Sequence, residues 1–201
     1  MEQNTATEAI PERVPVTLPR DATSIIDGVA LRWLSDYDIT REEVVSNKLL
    51  WSDYRQMLIF PFYSPNSGSL IAWQGRCFKD GYARYQTMGS KEEVFWVQGL
   101  THAHSHGIIL VEDCVSAIKV GRQAACMPLL GCGLGSERRT KLRAFTGKLT
   151  FWLDYDKAKE AYEYAQQQRI LGYRCQVIVT QDDPKVYTDP EIKEILQGVS
   201  Y

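Results

Sequence analysis

The spacing of hydrophobic and polar positions changes near the middle of the chain. Before that point, the apolar runs QMLIFPFY, SLIAWQGRCF and YARYQT are separated by the turn sequences PNSG and KDG. Short aromatic and branched runs bounded by Gly, Pro and Asn are typical of antiparallel strands. We therefore predict a small antiparallel sheet. Two short helices precede it in DGVALRWLSDYDITREEVV, where Thr40 and Glu43 form a capping-box pattern.

In the second half, apolar runs of strand length alternate with segments of helical spacing. The strand-like runs are IILVE, ACMPLLG, LTFWLD and YRCQVIVT, and the helical segments are CVSAIKVGR, SERRTKLRAF, KAKEAYEYAQQQRIL and DPEIKEILQG. Gly172 suits the C-cap of the third helix, and Asp189 and Pro190 suit the N-cap and first position of the last. This alternation predicts a mostly parallel sheet flanked by helices.

Composition and the change in spacing together divide the chain into three parts. Residues 1–20 are polar and contain three prolines, which favours a flexible arm. We predict a small α+β subdomain over residues 21–104 and an α/β domain over residues 105–201. The predicted fold class is therefore α/β, with a mostly parallel sheet preceded by a small α+β subdomain.

Composition adds limits on the class of protein. Of the 201 residues, 44% are apolar and 24% charged, as in ordinary globular proteins. The net charge of −2 gives no overall attraction to nucleic acid or membrane, so such binding requires local patches. No apolar run approaches the ~20 residues that span a bilayer, and the start lacks a signal-peptide pattern. The five cysteines form no CxxC pair, which indicates a reducing compartment without a zinc ribbon.

Acidic residues follow three of the predicted parallel strands. Glu112 ends IILVE, Asp154 ends LTFWLD with Asp156 two residues later, and Asp182 and Asp183 follow the last strand. Because functional groups gather at the carboxyl ends of such strands, we expect these carboxylates to converge on one edge. Close carboxylates repel unless a cation lies between them. Oxygen ligands without His or Cys favour Mg²⁺ or Mn²⁺, which serve phosphoryl transfer.

Each acid taken alone has a simpler explanation. Asp156 suits a cap of the helix that starts at Lys157, and Glu112 suits the first turn of its own helix, where the dipole favours an anion. Caps do not require acids after three strands of one chain. The set as a whole therefore favours the metal site.

The strand ending in Glu112 and the later WLDYD resemble the two marks of the TOPRIM domain, which primases, topoisomerases and some nucleases share. The segment LIFPFYSPNSGSLIAWQGRCFKDGYARYQTMGS resembles the one that precedes TOPRIM in DnaG-type and phage primases. VEDCVSAIKVG resembles the phage branch, and DDPKVYTDPEIKEIL resembles the primase tail. The resemblance covers residues 27–198. Its matched pairs before the TOPRIM part are Gly75-Arg76, Arg84-Tyr85 and Gly89-Ser90.

The resemblance implies a DNA primase core that joins ribonucleotides on single-stranded DNA with two divalent metals, Mg²⁺ or Mn²⁺. Glu112 would be a metal ligand or general base, and Asp154 and Asp156 would hold metal. Asp183, which precedes a proline, would complete the site in preference to Asp182. Phosphates of template or nucleotide would meet basic residues, because guanidinium groups bind phosphates bidentately and salt weakens such contacts. These basic candidates are Arg76, Arg84, Arg55, Lys91, Arg138 and Arg139.

The chain departs from the primase pattern in several places. Ser116 stands where many primases carry Asp, which implies a leaner metal site. Met57 stands where an Arg is usual, and Arg55 nearby is the candidate substitute. GCGLGS lacks the Lys-Ser/Thr of a P-loop. The expected partners are therefore single-stranded DNA, nucleoside triphosphates and a separate replicative helicase, without a membrane. The expected location is the cytoplasm, that of the host for a phage protein.

Three other features are weaker candidates. His102, His104 and His106 alternate as in a transition-metal site, but a polar linker is the simpler interpretation because no Cys or fixed carboxylate stands beside them. Cys114 has no neighbouring His and is a poor nucleophile candidate. The five tryptophans lie mostly in apolar runs, which predicts core positions.

The sequence thus predicts a phage-type TOPRIM primase core that makes short RNA primers by two-metal nucleotidyl transfer. A metal-dependent TOPRIM nuclease is one alternative, because the same metals can activate water to cut DNA. A non-catalytic replication adaptor that binds single-stranded DNA or a helicase is another, against which the intact acids argue. A topoisomerase fragment would need a catalytic Tyr on a further domain.

Overall fold

A computed structural model describes residues 15–103, 107–145 and 147–199. Within them lie two sheets of four strands each, with helices around them. The strands are β1 Leu50–Ser52, β2 Met57–Tyr63, β3 Leu70–Cys77, β4 Tyr85–Gly89, β5 Ile108–Val111, β6 Cys126–Pro128, β7 Lys148–Phe151 and β8 Arg174–Val177. The α-helices are α1 Gly28–Ser35, α2 Arg41–Ser46, α3 Cys114–Gly121, α4 Ser136–Arg143, α5 Ala158–Ile170 and α6 Asp189–Gln197.

The first sheet is antiparallel with strand order β1-β2-β3-β4, so the predicted three-stranded unit is confirmed and gains one strand. Its register places Ile59 opposite Gly75. A Cβ at Gly75 would lie 2.1 Å from Sδ of Met57, far inside contact distance. Met57 is fully buried, so the glycine of the GR pair is required to accommodate its side chain.

The second sheet has strand order β6-β5-β7-β8 with every pair parallel, as predicted. All four residues of the central strand β5 are buried, because helices and the first half of the chain cover both faces. A parallel sheet places the carboxyl ends of its strands at one edge. The residues that follow β5, β7 and β8 therefore meet on the same side of the molecule.

Helix α3 lies between the two halves and is buried along its whole length. One face, including Val115 and Ile118, belongs to the core cluster formed with the antiparallel sheet and the first two helices. The opposite face packs Ala117 and Val120 against β5 and α6. The helix thus fixes the position of the antiparallel sheet over one end of the parallel sheet.

Helix ends agree with the sequence in two of four places. Thr40 and Glu43 form the predicted capping box of α2. Gly172 follows α5 with φ +89°, the left-handed conformation that favours glycine after a helix. Helix α5 itself begins at Ala158 after a 3₁₀ turn over Tyr155–Lys157, without a side-chain cap, so Asp156 does not cap it.

The predicted N-cap of α6 is wrong by one residue. Thr188 is the N-cap and forms a capping box with Glu191. Asp189 is instead the first helical residue, and its carboxylate accepts a hydrogen bond of 3.0 Å from Arg122. Arg122 also donates to both carboxylate oxygens of Glu43 at 2.7 Å, so its guanidinium ties α2 to α6 at the end of α3.

The described part of the arm, residues 15–20, lies against the outer face of the antiparallel sheet. The indole N–H of Trp73 donates to the carbonyl of Thr17 at 2.9 Å, and Val16 and Leu18 pack on the apolar cluster of that face. Residues 1–14 of the predicted arm lie outside the described residues, and the division into domains stays a prediction. Within the described ranges, no helix is both long and apolar enough to cross a membrane.

Candidate nucleotidyl-transfer site

A cavity of about 430 Å³ lies between the two sheets, and both halves of the chain line it. The first half contributes basic and aromatic side chains: Trp33, Tyr37, Gln74, Arg76, Arg84, Tyr85 and Lys91. The second half contributes a mostly acidic wall: Glu112, Asp113, Leu130, Gly131, Asp154, Asp183 and Lys185. Six of the predicted site residues therefore share one cavity: Arg76, Arg84, Lys91, Glu112, Asp154 and Asp183.

The acidic wall follows from the topology of the parallel sheet. Glu112 comes directly after β5, Asp154 follows the end of β7, and Asp183 follows β8. Asp113, which was not predicted as a site residue, is the N-cap of α3 and accepts a hydrogen bond of 2.9 Å from the backbone of Ser116. The simple capping explanation is therefore correct for Asp113, although the same side chain faces the cavity.

Lys185 was missed by sequence reasoning and lies at the centre of this wall. Its Nζ is 2.9 Å from Oδ2 of Asp113, 2.9 Å from Oδ2 of Asp183 and 3.5 Å from Oδ2 of Asp154. The side chain is only 12% exposed. The available signal was its position in DDPK, where a 3₁₀ turn over Pro184–Val186 turns Lys185 back toward the acids.

Burial and mutual repulsion perturb the acids. Desolvation raises the pKa of Asp154 from its ordinary 3.8 to about 7; Lys185 opposes this shift, and the charges of Asp113, Asp183 and Glu112 add to it. Burial likewise raises the pKa of Glu112, partly offset by Lys157. Asp154 therefore exchanges a proton near neutral pH.

For the pKa of Lys185, the nearby charges outweigh the effect of burial. Burial alone would lower the pKa of its ammonium group, but the nearby carboxylates of Asp113, Asp183 and Asp154 outweigh this and raise it well above its ordinary value. The group is a permanent positive charge within the acidic wall.

The acidic side chains are chemically suitable ligands for a divalent cation, but in this structure they are not arranged around one position. Across the described ranges, no group of three or more His, Cys, Asp or Glu side chains is placed to hold a metal ion. The donors are nevertheless all oxygens, which suits Mg²⁺ or Mn²⁺. Oδ1 of Asp154 is buried and has no hydrogen-bond partner, so one donor is ready for a cation. The position between the other carboxylate oxygens is taken by Lys185.

Asp156, predicted to be catalytic, is exposed on the 3₁₀ turn before α5 and does not line the cavity. Asp182 does not line it either, whereas Asp183, the preferred candidate, does. The charge of Asp156 nevertheless contributes to the raised pKa of Glu112, so its carboxylate lies near the acidic wall, and its predicted metal ligation stays a prediction.

Arg76 is held in the opposite wall by aromatic rings. Its guanidinium carbon lies 4.3 Å from the ring centroid of Trp33 and 5.4 Å from that of Phe78. Its Nη1 donates to the hydroxyl of Tyr85 at 3.2 Å, and its buried Nε has no partner. Trp33 thus lines the cavity instead of filling the core, unlike the buried Trp51. Such stacking fixes a guanidinium without neutralising its charge.

Arg84 and Lys91 complete the basic wall. Arg84 is exposed just before β4, and Lys91 begins a 3₁₀ turn over Lys91–Glu93. Arg55 lies elsewhere, at a separate depression of about 190 Å³ that Tyr54 and Lys79 also line. Its predicted contact with template stays a prediction, outside the main cavity.

Arg138 requires a correction. The predicted template contact needs an accessible guanidinium, but Arg138 is fully buried and donates to the carbonyls of Pro128 and Leu129. It therefore holds the loop after β6, which supplies Leu130 and Gly131 to the cavity. Arg139 is partly exposed and donates to the carbonyl of Leu134, and its predicted contact stays a prediction.

The weaker candidates have local explanations. Cys114 is buried, and desolvation raises the pKa of its thiol well above the ordinary value, which argues against a nucleophile. His102 ends a 3₁₀ turn over Leu100–His102. His104 and His106 lie outside the described residues.

Comparison with known proteins gives a clear result for the fold alone. No protein-family model matches the chain, and no curated protein matches it. Among solved structures, the Aquifex aeolicus primase, with zinc-binding and RNA polymerase domains, is 18% identical with a TM-score of 0.58 over 85% of this chain and 49% of that one. The chain thus spans about half of that structure.

Two further structures agree. The Escherichia coli primase catalytic core is 15% identical with a TM-score of 0.59, covering 84% of this chain and 71% of that one. The primase fragment of the bacteriophage T7 primase-helicase is 14% identical with a TM-score of 0.56, covering 81% and 71%. The resemblance proposed from the sequence is therefore confirmed at the level of architecture, and the chain has the fold of a DnaG-like primase catalytic core.

Proposed function

We propose that this chain is the catalytic core of a DNA primase that joins ribonucleotides on a single-stranded DNA template. The observation that carries the proposal is the single cavity in which acids at the edge of a parallel sheet face three cations of the other sheet's subdomain. Nucleotidyl transfer requires this pairing of a metal-binding wall with a phosphate-binding wall. The shared fold with primase cores supports the same reaction class.

The acidic wall would be that of a TOPRIM domain, with Glu112 after the central strand and Asp154 after its neighbour. Glu112, Asp154 and Asp183 would hold Mg²⁺ or Mn²⁺. A bound divalent ion supplies charge neutralisation at the transferring phosphate and at the attacking and leaving oxygens.

The chain's own residues would orient the reactants. Arg76, fixed by Trp33 and Tyr85, presents its free N–H groups to the triphosphate of the incoming nucleotide. Arg84 and Lys91 would bind phosphates at the rim of the cavity.

Glu112 is the candidate general base, because burial raises its pKa toward the working range of a base. A carboxylate oxygen of Glu112 would accept the proton of the 3′-hydroxyl while the hydroxyl oxygen forms a bond to the α-phosphorus. The bond to the β-phosphate then breaks, and pyrophosphate leaves.

Primer synthesis on a mixed single-stranded template, with labelled nucleotides and Mg²⁺ or Mn²⁺, tests the proposal. We expect short products from the wild type and losses of about 10²–10⁴-fold in Glu112→Gln and Asp154→Asn. Glu163→Gln, on the exposed face of α5, is the matched control and should keep full activity. Template degradation in place of synthesis would identify a nuclease instead.

A non-catalytic adaptor is a second candidate, and one observation favours it. Lys185 already lies within ion-pair distance of three carboxylates, so the acidic wall contains a cation without a metal. An adaptor would bind single-stranded DNA with equal affinity in wild type and Asp154→Asn, and neither would make primers. In either case, we propose a replicative helicase as a partner, since one structural neighbour is the primase fragment of a primase-helicase.

A further inference from the structure

We propose that Lys185 is a resident cation of the acidic wall, which takes one cation position and leaves the wall able to bind a single divalent ion. The inference rests on the metal-dependent site proposed above and goes beyond it by assigning the number of ions. Two ions were the expectation from the family resemblance.

The geometry around Lys185 is that of an ion within an oxygen cage. Its ammonium lies 2.9 to 3.5 Å from carboxylate oxygens of Asp113, Asp154 and Asp183. These acids belong to three separate segments, namely the N-cap of α3, the end of β7 and the loop after β8. An ion that joins the same three segments would have to occupy the same place.

Displacing this ammonium is unfavourable because it is buried. The side chain of Lys185 is 12% exposed, and those of its partners are 16% to 23% exposed. Charges attract more strongly where water is excluded, and a tethered ammonium pays no entropy of association. A divalent ion in free solution therefore competes at a disadvantage for the oxygens that already face Lys185.

The charge of the acidic wall, counted without the three cations of the opposite wall, agrees with one ion. Four carboxylates line the cavity, and Lys185 is the only cation that the acidic wall contributes to it among the described residues. With all four ionised, three negative charges remain after Lys185 is counted, and one divalent ion reduces them to one. Without Lys185, four negative charges would remain, which two divalent ions neutralise.

One donor is left for that single ion. Oδ2 of Asp154 faces Lys185, whereas its Oδ1 is buried without a hydrogen-bond partner. Glu112 lines the same cavity and has no contact with Lys185 among the described ion pairs. These two residues are the ones we assign to the divalent ion, in place of the larger set with Asp183 proposed above, because Asp183 faces Lys185.

The test is a count of bound Mn²⁺ by electron paramagnetic resonance titration of the full chain. We expect one ion in the wild type and two in Lys185→Met, a doubling of the count. Lys193→Met, at an exposed position of α6, is the matched control and should bind one. Equal counts in wild type and Lys185→Met, or any count other than one in the wild type, would overturn the inference.

Two further measurements cover a variant that does not fold. Lys185→Arg retains the charge and should bind one ion; a second ion in this variant would contradict the charge argument. If Lys185→Met is unfolded in every buffer, the wild-type count alone decides between one ion and another number. Primer synthesis with two bound ions would reject this inference and keep the proposed function, whereas one bound ion without primers would do the reverse.

Discussion

The two walls of the cavity are prepared for charged ligands in different ways. On the antiparallel side, uncharged aromatic rings hold Arg76 in place, so its positive charge stays available. On the parallel side, an opposite charge, Lys185, holds the acids together and consumes part of their charge. A side chain held by aromatic stacking thus keeps its full charge for a ligand. A side chain held by an ion pair has part of its charge already balanced.

The largest effect should come from reversing the charge within the acidic wall. Lys185→Glu replaces the central cation with a further carboxylate, and breaking a buried ion pair costs roughly 3–5 kcal/mol. For a chain of this length, that lowers the melting temperature by about 10 °C. Thermal unfolding in EDTA measures it, with Lys193→Glu as the exposed control. A shift no larger than that of the control would show that the acids do not need Lys185.

The next effect concerns the basic wall. Arg76→Ala removes a charge-assisted contact to phosphate worth about 1.5–3 kcal/mol, so nucleotide affinity should fall by roughly 10- to 100-fold. Titration of a labelled triphosphate measures the affinity. Arg41→Ala, at an exposed position of α2, is the matched control and should leave nucleotide affinity unchanged. Equal losses in both variants would mean that charge alone, and not the position of Arg76, is responsible.

The next prediction concerns how pH changes the stability contributed by Asp154 of the acidic wall. The pKa of Asp154 is raised to about 7 in the folded state, so the folded protein binds this proton more tightly than the unfolded chain does. The contribution of Asp154 to stability therefore falls as pH rises from about 4 to about 7. Asp154→Asn removes this loss, and its gain in melting temperature over the wild type in EDTA should be several degrees larger near pH 8 than near pH 5. Asp80→Asn, in an exposed turn, should give no such difference, and a flat profile for Asp154→Asn would contradict the shift.

The smallest effect should come from the ring beneath Arg76. Trp33→Ala removes a cation–π contact worth about 0.5–2 kcal/mol, which predicts roughly 2- to 30-fold weaker nucleotide binding. Trp33→Phe keeps an aromatic face and should restore most of the affinity. Because no charge is removed, the salt dependence of binding should match the wild type. A changed salt dependence would indicate that Arg76 has lost its ligand altogether.

Patterns of residues predicted the architecture well and the site in part. The acids after β5, β7 and β8 share one edge because alternating strands and helices predict a parallel sheet, and that alternation is visible in the sequence. Asp156 lies on the 3₁₀ turn that follows Asp154 and does not line the cavity, a detail that strand and helix periodicity does not predict. Its assignment to the metal site stays a prediction.

Basic residues were harder to place from the sequence. The composition of SERRTKLR is that of a solvated basic helix, yet Arg138 is buried there and donates to the backbone carbonyls of Pro128 and Leu129, which require a donor. Lys185 was missed for the complementary reason. A lysine beside acids in a loop is usually solvated, and only the convergence of three distant segments buries this one.

The position of helix α3 bears on how ligands of different length bind in the cavity. It is buried on all sides between the halves, and the Arg122 network fastens its far end to α2 and α6. We therefore expect this buried helix to keep the two walls at a set separation. A ligand too short to touch both walls would then gain the contacts of only one.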